Sequence, residues 1–216
     1  RSEKITGPYV DQTGNSAIYK NNVNNLFSEI GIRIMCSYKF SANIETHVAQ
    51  GHNSVFVDDD GKIFLIYHTR FAGGKNGIEE AHEVRVQQLF VNQDGWLIAA
   101  PYEYSGETLE KEGYEEQLLG EYELVVHNPK AYYQKTGTKQ IGIIKTQNIT
   151  LNQDKTVSGD VTGTWSYTEN TSEMTITING VEYKGYFLKQ ATEGVHKIVM
   201  TFTALGNNVC VWGSKK

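Results

Sequence analysis

Tight-turn dipeptides between apolar runs constrain the fold of this chain more than any other feature of its sequence. Asn179-Gly180 stands between "TITI" and "VEYKGYF", and Asp60-Gly61 stands between "NSVFV" and "KIFLIYH". Asn-Gly and Asp-Gly pairs readily adopt the backbone of tight hairpin turns, so each pair predicts two antiparallel strands joined by a turn. We therefore predict an all-β protein.

Apolar and alternating runs predict where the strands lie. In the first half, four runs in simple succession cover residues 32–40, 53–57, 62–68 and 82–91. Four such strands have the size of one propeller blade, although an isolated four-stranded meander fits the pattern as well. In the second half, short runs with a turn about every ten residues cover residues 140–151, 155–168, 173–190 and 196–213. This rhythm predicts a small β-sandwich or β-barrel.

An acidic segment separates the two halves. Six Glu and one Lys lie between positions 107 and 121, inside a polar stretch that runs from 101 to 122. Such a shift in composition predicts a linker. We therefore predict two domains, residues 1–106 and residues 107–216.

The segment that precedes the first strand is less regular. Residues 21–31 carry apolar residues at helical spacing, which predicts at most a turn or two of helix. The chain opens with "RSEKITGPYVD", without an initiator Met or an apolar signal core, which predicts that a leader or a much longer segment has been removed.

Charge and apolar content exclude several classes of partner. The net charge is −5, and no basic run is longer than Lys215-Lys216, so nucleic acid and anionic membranes are not expected partners. No apolar stretch approaches the roughly 18 residues of a membrane-spanning helix. The two cysteines, Cys36 and Cys210, stand far apart in β-like runs, which predicts buried free thiols.

Long motifs in fixed order resemble a known enzyme family. The motifs are "GPYVDQTG" (7–14), "GHNSVFVDDDGKIFLIYHTRF" (51–71), "HEVRVQQLFVNQDGW" (82–96) and "APYEYSGE" (100–107). Together they resemble the last part of the catalytic domain of glycoside hydrolase family 43, and most nearly its endo-1,5-α-L-arabinanases. The remainder, ending in "TFTALGNNVCVWGSKK", resembles the β-rich C-terminal domain of the longer arabinanases. Three positions depart from the family pattern: Gln50 and Leu97 stand where proline is usual, and Gln87 where histidine is often seen.

The resemblance implies a fold and a reaction. This chain would supply the last part of a five-bladed β-propeller, followed by the small barrel or sandwich. The reaction would be inverting hydrolysis of α-1,5-linked arabinan, a side chain of plant pectin, by two carboxylates about 6.5–9.5 Å apart. The acids of the family lie in earlier blades. The Asp and Glu residues here lie in turns (Asp58–Asp60, Asp94, Asp154) or in the acidic linker, so no catalytic residue is assigned in this chain.

The resemblance also implies partners and a location. A companion chain or segment would carry the N-terminal blades and the catalytic acids, and the substrate would be arabinan or an arabino-oligosaccharide. The enzyme would be extracellular or periplasmic, of bacterial type. Two alternatives stay open: a non-catalytic carbohydrate-binding β-module, and an exo-acting arabinofuranosidase or xylosidase of the same family.

One histidine carries the metal prediction. His52, in the Gly-His-Asn-Ser motif, matches the arabinanase histidine that points into the central channel and helps to hold a hydrated calcium ion. Calcium prefers six to eight oxygen ligands, so one imidazole cannot hold it alone, and waters would complete the coordination. The ion would then act on nearby carboxylates through its charge. The alternative is that His52 only forms a hydrogen bond at the start of a strand.

Other polar and aromatic residues receive weaker assignments. His68 and Arg70 share one face of a strand and are predicted to bind substrate or to brace the channel. His82 opens the next strand and is predicted to pair with the His68 region. The remaining histidines, His47, His127 and His196, are predicted to be ordinary surface or packing residues. Core packing is also predicted for the tryptophans Trp96, Trp165 and Trp212, in preference to sugar stacking.

Overall fold

The computed structural model describes residues 1–18, 30–110, 113–114, 117–128, 134–136 and 139–216. The helical pattern at 21–31 lies almost wholly outside these residues, so the predicted helix stays untested. Within the described residues, no helix is long and apolar enough to span a membrane. The all-β prediction is confirmed, since the elements that position the site are all strands.

The first half forms a four-stranded antiparallel sheet. Its strands are β1 (His47–Val57), β2 (Ile63–Phe71), β3 (His82–Val91) and β4 (Leu97–Ala99), in the spatial order β1-β2-β3-β4. The turn at 58–61 joins β1 to β2 as predicted, with Gly61 at a φ of 83° and its N–H donating to the Asp58 carbonyl. A second turn at 92–96 joins β3 to β4, where the Asn92 N–H donates to the Trp96 carbonyl.

The second half closes into a barrel. A small hairpin of β6 (Gln134–Thr136) and β7 (Lys139–Ile141) stands apart from it. The barrel strands are β5 (Gly120–Val126), β8 (Gln147–Leu151), β9 (Thr156–Gly159), β10 (Gly163–Tyr167), β11 (Glu173–Ile178), β12 (Val181–Ala191), β13 (Ile198–Gly206) and β14 (Val209–Lys215). The hairpin at Asn179-Gly180 is confirmed, because both residues have positive φ and join β11 to β12. Strand β5 pairs with both β14 and β8, which closes the barrel and resolves the sandwich-or-barrel alternative.

The prediction of a strand at 32–40 is wrong. This segment makes isolated bridges instead, from Arg33 to Val209 and from Tyr38 to both His47 and Ile144. It runs between the sheet and the barrel, and its backbone groups bond to both. Because Tyr38 and Phe40 are buried there, the apolar content that suggested a strand fills the contact between the two halves.

The predicted acidic linker packs against the barrel. Glu107 accepts a hydrogen bond from the Gln190 amide at 2.7 Å, and Glu110 pairs with Lys189 at 3.1 Å. Tyr114 and Leu118 are buried in the barrel core. The described residues of this segment therefore attach it to the barrel through both polar and apolar contacts.

Apolar packing joins the sheet to the barrel. One cluster fills the barrel interior around Phe187 and Phe202. Two others, among the described residues, contain side chains from both halves: Leu65 of β2 with Trp212 of β14, and Ile98 of β4 with Leu205 of β13. Core packing is confirmed for Trp96, Trp165 and Trp212, which are all buried. Cys36 and Cys210 are buried free thiols, as predicted.

Candidate functional site

The Gly-His-Asn-Ser motif lies inside β1, where the strand is irregular. In the pairing of β1 with β2, Val48 lies opposite Arg70, Gly51 opposite His68 and Ser54 opposite Ile66. The register shifts between Val48 and Gly51 and again between Gly51 and Ser54. His52 lies in the second irregular interval and has a φ of 46°. A positive φ is uncommon for a residue other than glycine, and bulges of this kind redirect a side chain. The backbone therefore gives His52 an orientation that regular strand geometry would not provide.

Three histidines lie in a row across the first three strands. The Nδ1 atoms of His52 and His68 are 3.1 Å apart, and the two ring centroids are 4.9 Å apart. The centroid of His82 lies 5.6 Å from that of His68, which confirms the predicted neighbourhood of His82 and His68. Burial lowers the pKa of His68, and the nearby His52, His82 and Arg70 lower it further. His68 is thereby kept neutral at ordinary pH.

Arg70 is on the same strand face as His68 but is already paired. Its Nη1 donates to Oε2 of Glu80 at 2.5 Å, and both side chains are substantially exposed to solvent. Its cross-strand neighbour in β3 is His82. To bind a sugar hydroxyl, Arg70 would therefore have to give up its contact with Glu80.

The same face of the sheet exposes apolar surface. Phe56 and Val84 are 52% and 70% exposed, and Phe56 stacks on Phe64, which contacts Tyr104 edge-to-face at 4.8 Å. Strand β1 lies at the edge of the sheet. An edge strand and adjacent large apolar side chains left open to water are typical of a surface that another segment covers.

The described residues do not form a complete metal site. No group of three or more His, Cys, Asp or Glu side chains comes together among them in a way that could hold a metal ion. His52 is exposed and can supply one ligand. Its contact with His68 uses Nδ1, so Nε2 is the nitrogen by which His52 would bind an ion. This arrangement fits a cation only if water or another segment supplies most of the coordination.

The carboxylates of the turns form ion pairs and local hydrogen bonds. Asp60 pairs with Lys62 at 2.6 Å, Asp94 pairs with Lys184 at 3.1 Å, and Asp154 accepts hydrogen bonds from Thr156. The buried Asp11 is also engaged, since it accepts from Thr13, Asn15, Gly31 and Asn208. These bonds hold the pKa of Asp11 at about 2, despite the opposing effect of burial.

A buried charged cluster lies on the opposite face of the sheet, and sequence reasoning missed it. Glu193, between β12 and β13, accepts hydrogen bonds from Asn43 Nδ2 at 2.6 Å and from His47 Nε2 at 3.0 Å, and it pairs with Arg85. Burial alone would raise the pKa of Glu193, but the His47 hydrogen bond and the Arg85 charge outweigh it and hold the pKa at about 2. His47 was predicted to be an ordinary surface or packing residue. It is instead a buried polar residue with an acidic partner 146 positions away.

His127 is buried as well. Its Nδ1 accepts a hydrogen bond from the Cys36 N–H at 3.1 Å, and its ring packs against Trp212 at 4.1 Å. Burial, assisted by the charge of Arg33, lowers the pKa of His127 to about 3. The predicted packing role is confirmed for His127.

The fold defines a class: an antiparallel sheet packed on a closed, lipocalin-like β-barrel. The family model for the C-terminal lipocalin-like domain of glycoside hydrolase family 43, GH43_C, matches residues 101–213. The chain belongs to this family, and the resemblance drawn from the sequence motifs is confirmed.

Two characterised relatives match along essentially the whole chain. The extracellular endo-α-(1→5)-L-arabinanase 2 of Bacillus subtilis is 41% identical over 227 residues, covering 100% of this chain and 45% of the relative. The extracellular endo-α-(1→5)-L-arabinanase of Thermotoga petrophila is 36% identical over 224 residues, covering 99% and 45%. The chain thus spans slightly less than half the length of these relatives.

Solved structures of family 43 proteins also match along essentially the whole chain. The family 43 glycoside hydrolase YxiA of Bacillus licheniformis superposes with a TM-score of 0.85 at 37% identity, covering 99% of this chain and 47% of that one. The Thermotoga petrophila endo-1,5-α-L-arabinanase in complex with TRIS gives a TM-score of 0.84 at 35% identity, covering 100% and 47%. The likeness includes the sheet as well as the barrel.

Proposed function

We propose that this chain is the C-terminal part of an endo-acting arabinanase that hydrolyses α-1,5-linked arabinan with inversion. The observation that carries the proposal is the 41% identity to an arabinanase over the whole chain, sheet and barrel together. A barrel-only match would have favoured a separable carbohydrate-binding module. The finer fold proposal is that residues 1–106 complete a five-bladed propeller and that residues 107–216 form the C-terminal domain.

The catalytic acids would come from another segment. The carboxylates of the chain described above are engaged in turns, ion pairs or buried hydrogen bonds. The segment that carries the acids would cover the exposed face around Phe56 and Val84 and pair with the open edge of β1. A second polypeptide or a longer chain would satisfy this requirement equally.

His52 would place the calcium ion close to those acids. A bound calcium ion supplies positive charge, which favours the ionised form of nearby carboxylates. His52 would hold it through Nε2, and His68 would fix the orientation of the His52 ring through the Nδ1 contact of 3.1 Å. His68 and Arg70 would also face the sugar hydroxyls of bound arabinan. Since the relatives are named extracellular, we propose secretion for the enzyme that contains this chain.

The test compares the complete enzyme with the isolated 216-residue chain on linear arabinan. The complete enzyme should release a mixture of oligosaccharides early in the reaction, and NMR of the fresh product should show inverted anomeric configuration. The isolated chain should release nothing. Immediate release of single arabinose units would instead indicate the exo-acting alternative. Arabinan binding without cleavage by the complete protein would indicate a carbohydrate-binding module.

A further inference from the structure

Glu193 connects the barrel to two strands of the sheet at once. One carboxylate oxygen of Glu193 accepts a hydrogen bond from His47, the first residue of β1. The other oxygen accepts from Arg85, in the middle of β3. Strand β2 lies between these two strands, so a single barrel side chain reaches across three strands from the buried face. Asn43 supplies a third donor to the same carboxylate at 2.6 Å.

The side chains of the cluster are buried and close-packed. The side chains of Arg85 and His47 are only 3% and 4% exposed, and that of Glu193 is 17% exposed. Glu83 and Glu103 complete the surroundings of Arg85, at 3.1 and 3.5 Å from its Nη1. Glu193 is the most buried of the three carboxylates around Arg85, so water screens its attraction to Arg85 the least.

The first residues of β1 are held from several sides. Thr69 Oγ1 donates to the Val48 carbonyl, the Ala49 N–H donates to Ser37 Oγ, and the Gln50 amide donates to the His47 carbonyl. With His47 bound to Glu193, these bonds define where regular pairing stops and the first irregular interval begins. Both irregular intervals of β1 come immediately after these anchored residues in the chain.

The side-chain period of a strand makes that anchor important for His52. A slip of one residue in β1 would move every side chain that follows to the other face of the sheet. His52 would then point away from His68 and towards the barrel side. The turn at 58–61 sets the register of residues 54–57 against β2, but two irregular intervals separate these residues from the start of β1. The position of the first residues of β1 therefore depends on their own contacts.

We propose that Glu193 is a positioning residue of the active site. Through His47 and Arg85 it fixes the register of the first residues of β1 and thereby the orientation of His52 beside His68. The inference rests on the proposed function only for its effect on catalysis; its effect on the two imidazoles stands independently. It assigns the C-terminal barrel a role in positioning His52 from the opposite face of the sheet.

The experiment uses the complete enzyme, labelled with nitrogen-15 in histidine. Glu193→Gln keeps the size of the side chain and removes its charge. His47→Leu has no side-chain donor and so cuts the link to β1, while the pair of Glu193 with Arg85 remains. Glu182→Gln is the matched control, since Glu182 is an exposed barrel carboxylate paired loosely with Lys184. The measurements are the ring-nitrogen signals of His52 and His68, kcat and KM on linear arabinan, and the thermal unfolding midpoint.

Both test variants should shift the ring-nitrogen signals of His52 and His68, and kcat should fall roughly 2- to 30-fold, the range of coupling through a packed network. The control variant should change neither. If Glu193→Gln does not fold, His47→Leu alone decides the question. A variant that lowers the unfolding midpoint but leaves both imidazole signals and kcat unchanged would show that the cluster is merely structural, and the proposal would be wrong. If the wild-type enzyme were inactive on arabinan, the proposed function would be wrong. The His52 and His68 signals would still test whether Glu193 positions the two rings.

Discussion

His52 and His68 face each other through their Nδ1 atoms, 3.1 Å apart. Two Nδ1 atoms at that distance share one proton, so one ring donates and the other accepts. The two rings therefore have opposite tautomers, and Nε2 of His52 is directed away from its neighbour. His52 can bind a cation through Nε2 when its own Nδ1 carries the proton and His68 accepts. This is the side-chain arrangement that a single-histidine cation site requires.

Replacement of His52 should lower activity and leave the fold intact. Gly is the best substitute because it tolerates the positive φ of this position and has no side chain that could bind an ion. His52→Gly in the complete enzyme should reduce activity on linear arabinan about 10- to 100-fold, which is typical of a lost metal contact. The matched control is His196→Gly, at an exposed histidine with a φ of 53°. Activity is measured with and without a chelator. If His52→Gly kept full, chelator-sensitive activity, the metal assignment would be wrong.

Removal of the barrel should destabilise the sheet. A chain that ends at residue 106 would expose apolar side chains that now pack against the barrel, such as Leu65 and Ile98, and would leave Arg85 without Glu193. We expect this truncated protein to aggregate or to lose its cooperative unfolding transition, since large apolar patches open to water favour association. Sedimentation and circular dichroism check the expectation. A monomeric, cooperatively folded truncation would contradict it.

Trp212 should be among the most sensitive positions for stability. It is fully buried, and its ring contacts Tyr38 at 5.1 Å and His127 at 4.1 Å at the junction of sheet and barrel. Trp212→Ala should lower the free energy of unfolding by about 3–5 kcal/mol, as large cavities do. Trp212→Phe retains an aromatic ring and removes an indole N–H that lacks a hydrogen-bond partner among the described residues, so it should cost clearly less. Urea unfolding of both variants gives the comparison, and equal losses would show that the cavity is not the cause.

His127 should make the protein sensitive to acid. Its pKa is about 3 in the folded state and near 6.5 in the unfolded chain, so the unfolded chain takes up a proton first as the pH falls. The free energy of unfolding should therefore decrease by up to about 1.4 kcal/mol per pH unit between pH 6.5 and 3, and this residue should have no effect above pH 6.5. Asn can replace the acceptor Nδ1, so His127→Asn should flatten the pH dependence in that window. Urea unfolding at pH 7, 6, 5 and 4 measures it, and an unchanged slope would contradict the assignment.

Much of the β architecture follows from local sequence. Asn179-Gly180 and Asp60-Gly61 mark hairpins because those residues reach positive φ at little cost, and the structure has both turns where they were predicted. The burial of Trp165 and of both cysteines follows from the apolar runs around them. Strand β5 escaped prediction because its first residues continue an acidic, polar segment whose apolar side chains are spaced too irregularly to indicate burial.

Only the tertiary structure decided the features that bring distant residues together. The run at 32–40 has the composition of a strand, yet it bridges the sheet and the barrel because both surfaces offer hydrogen-bonding partners to its backbone. The local sequence around His47 cannot indicate a buried carboxylate partner at position 193, since that contact exists only after the barrel has closed and docked on the sheet. The sequence by itself determined the hairpins and the all-β class, because turn geometry is a property of two to four adjacent residues. The start of β1 and the orientation of His52 depend on long-range packing, because two irregular intervals separate the start of β1 from the residues whose register the turn at 58–61 sets.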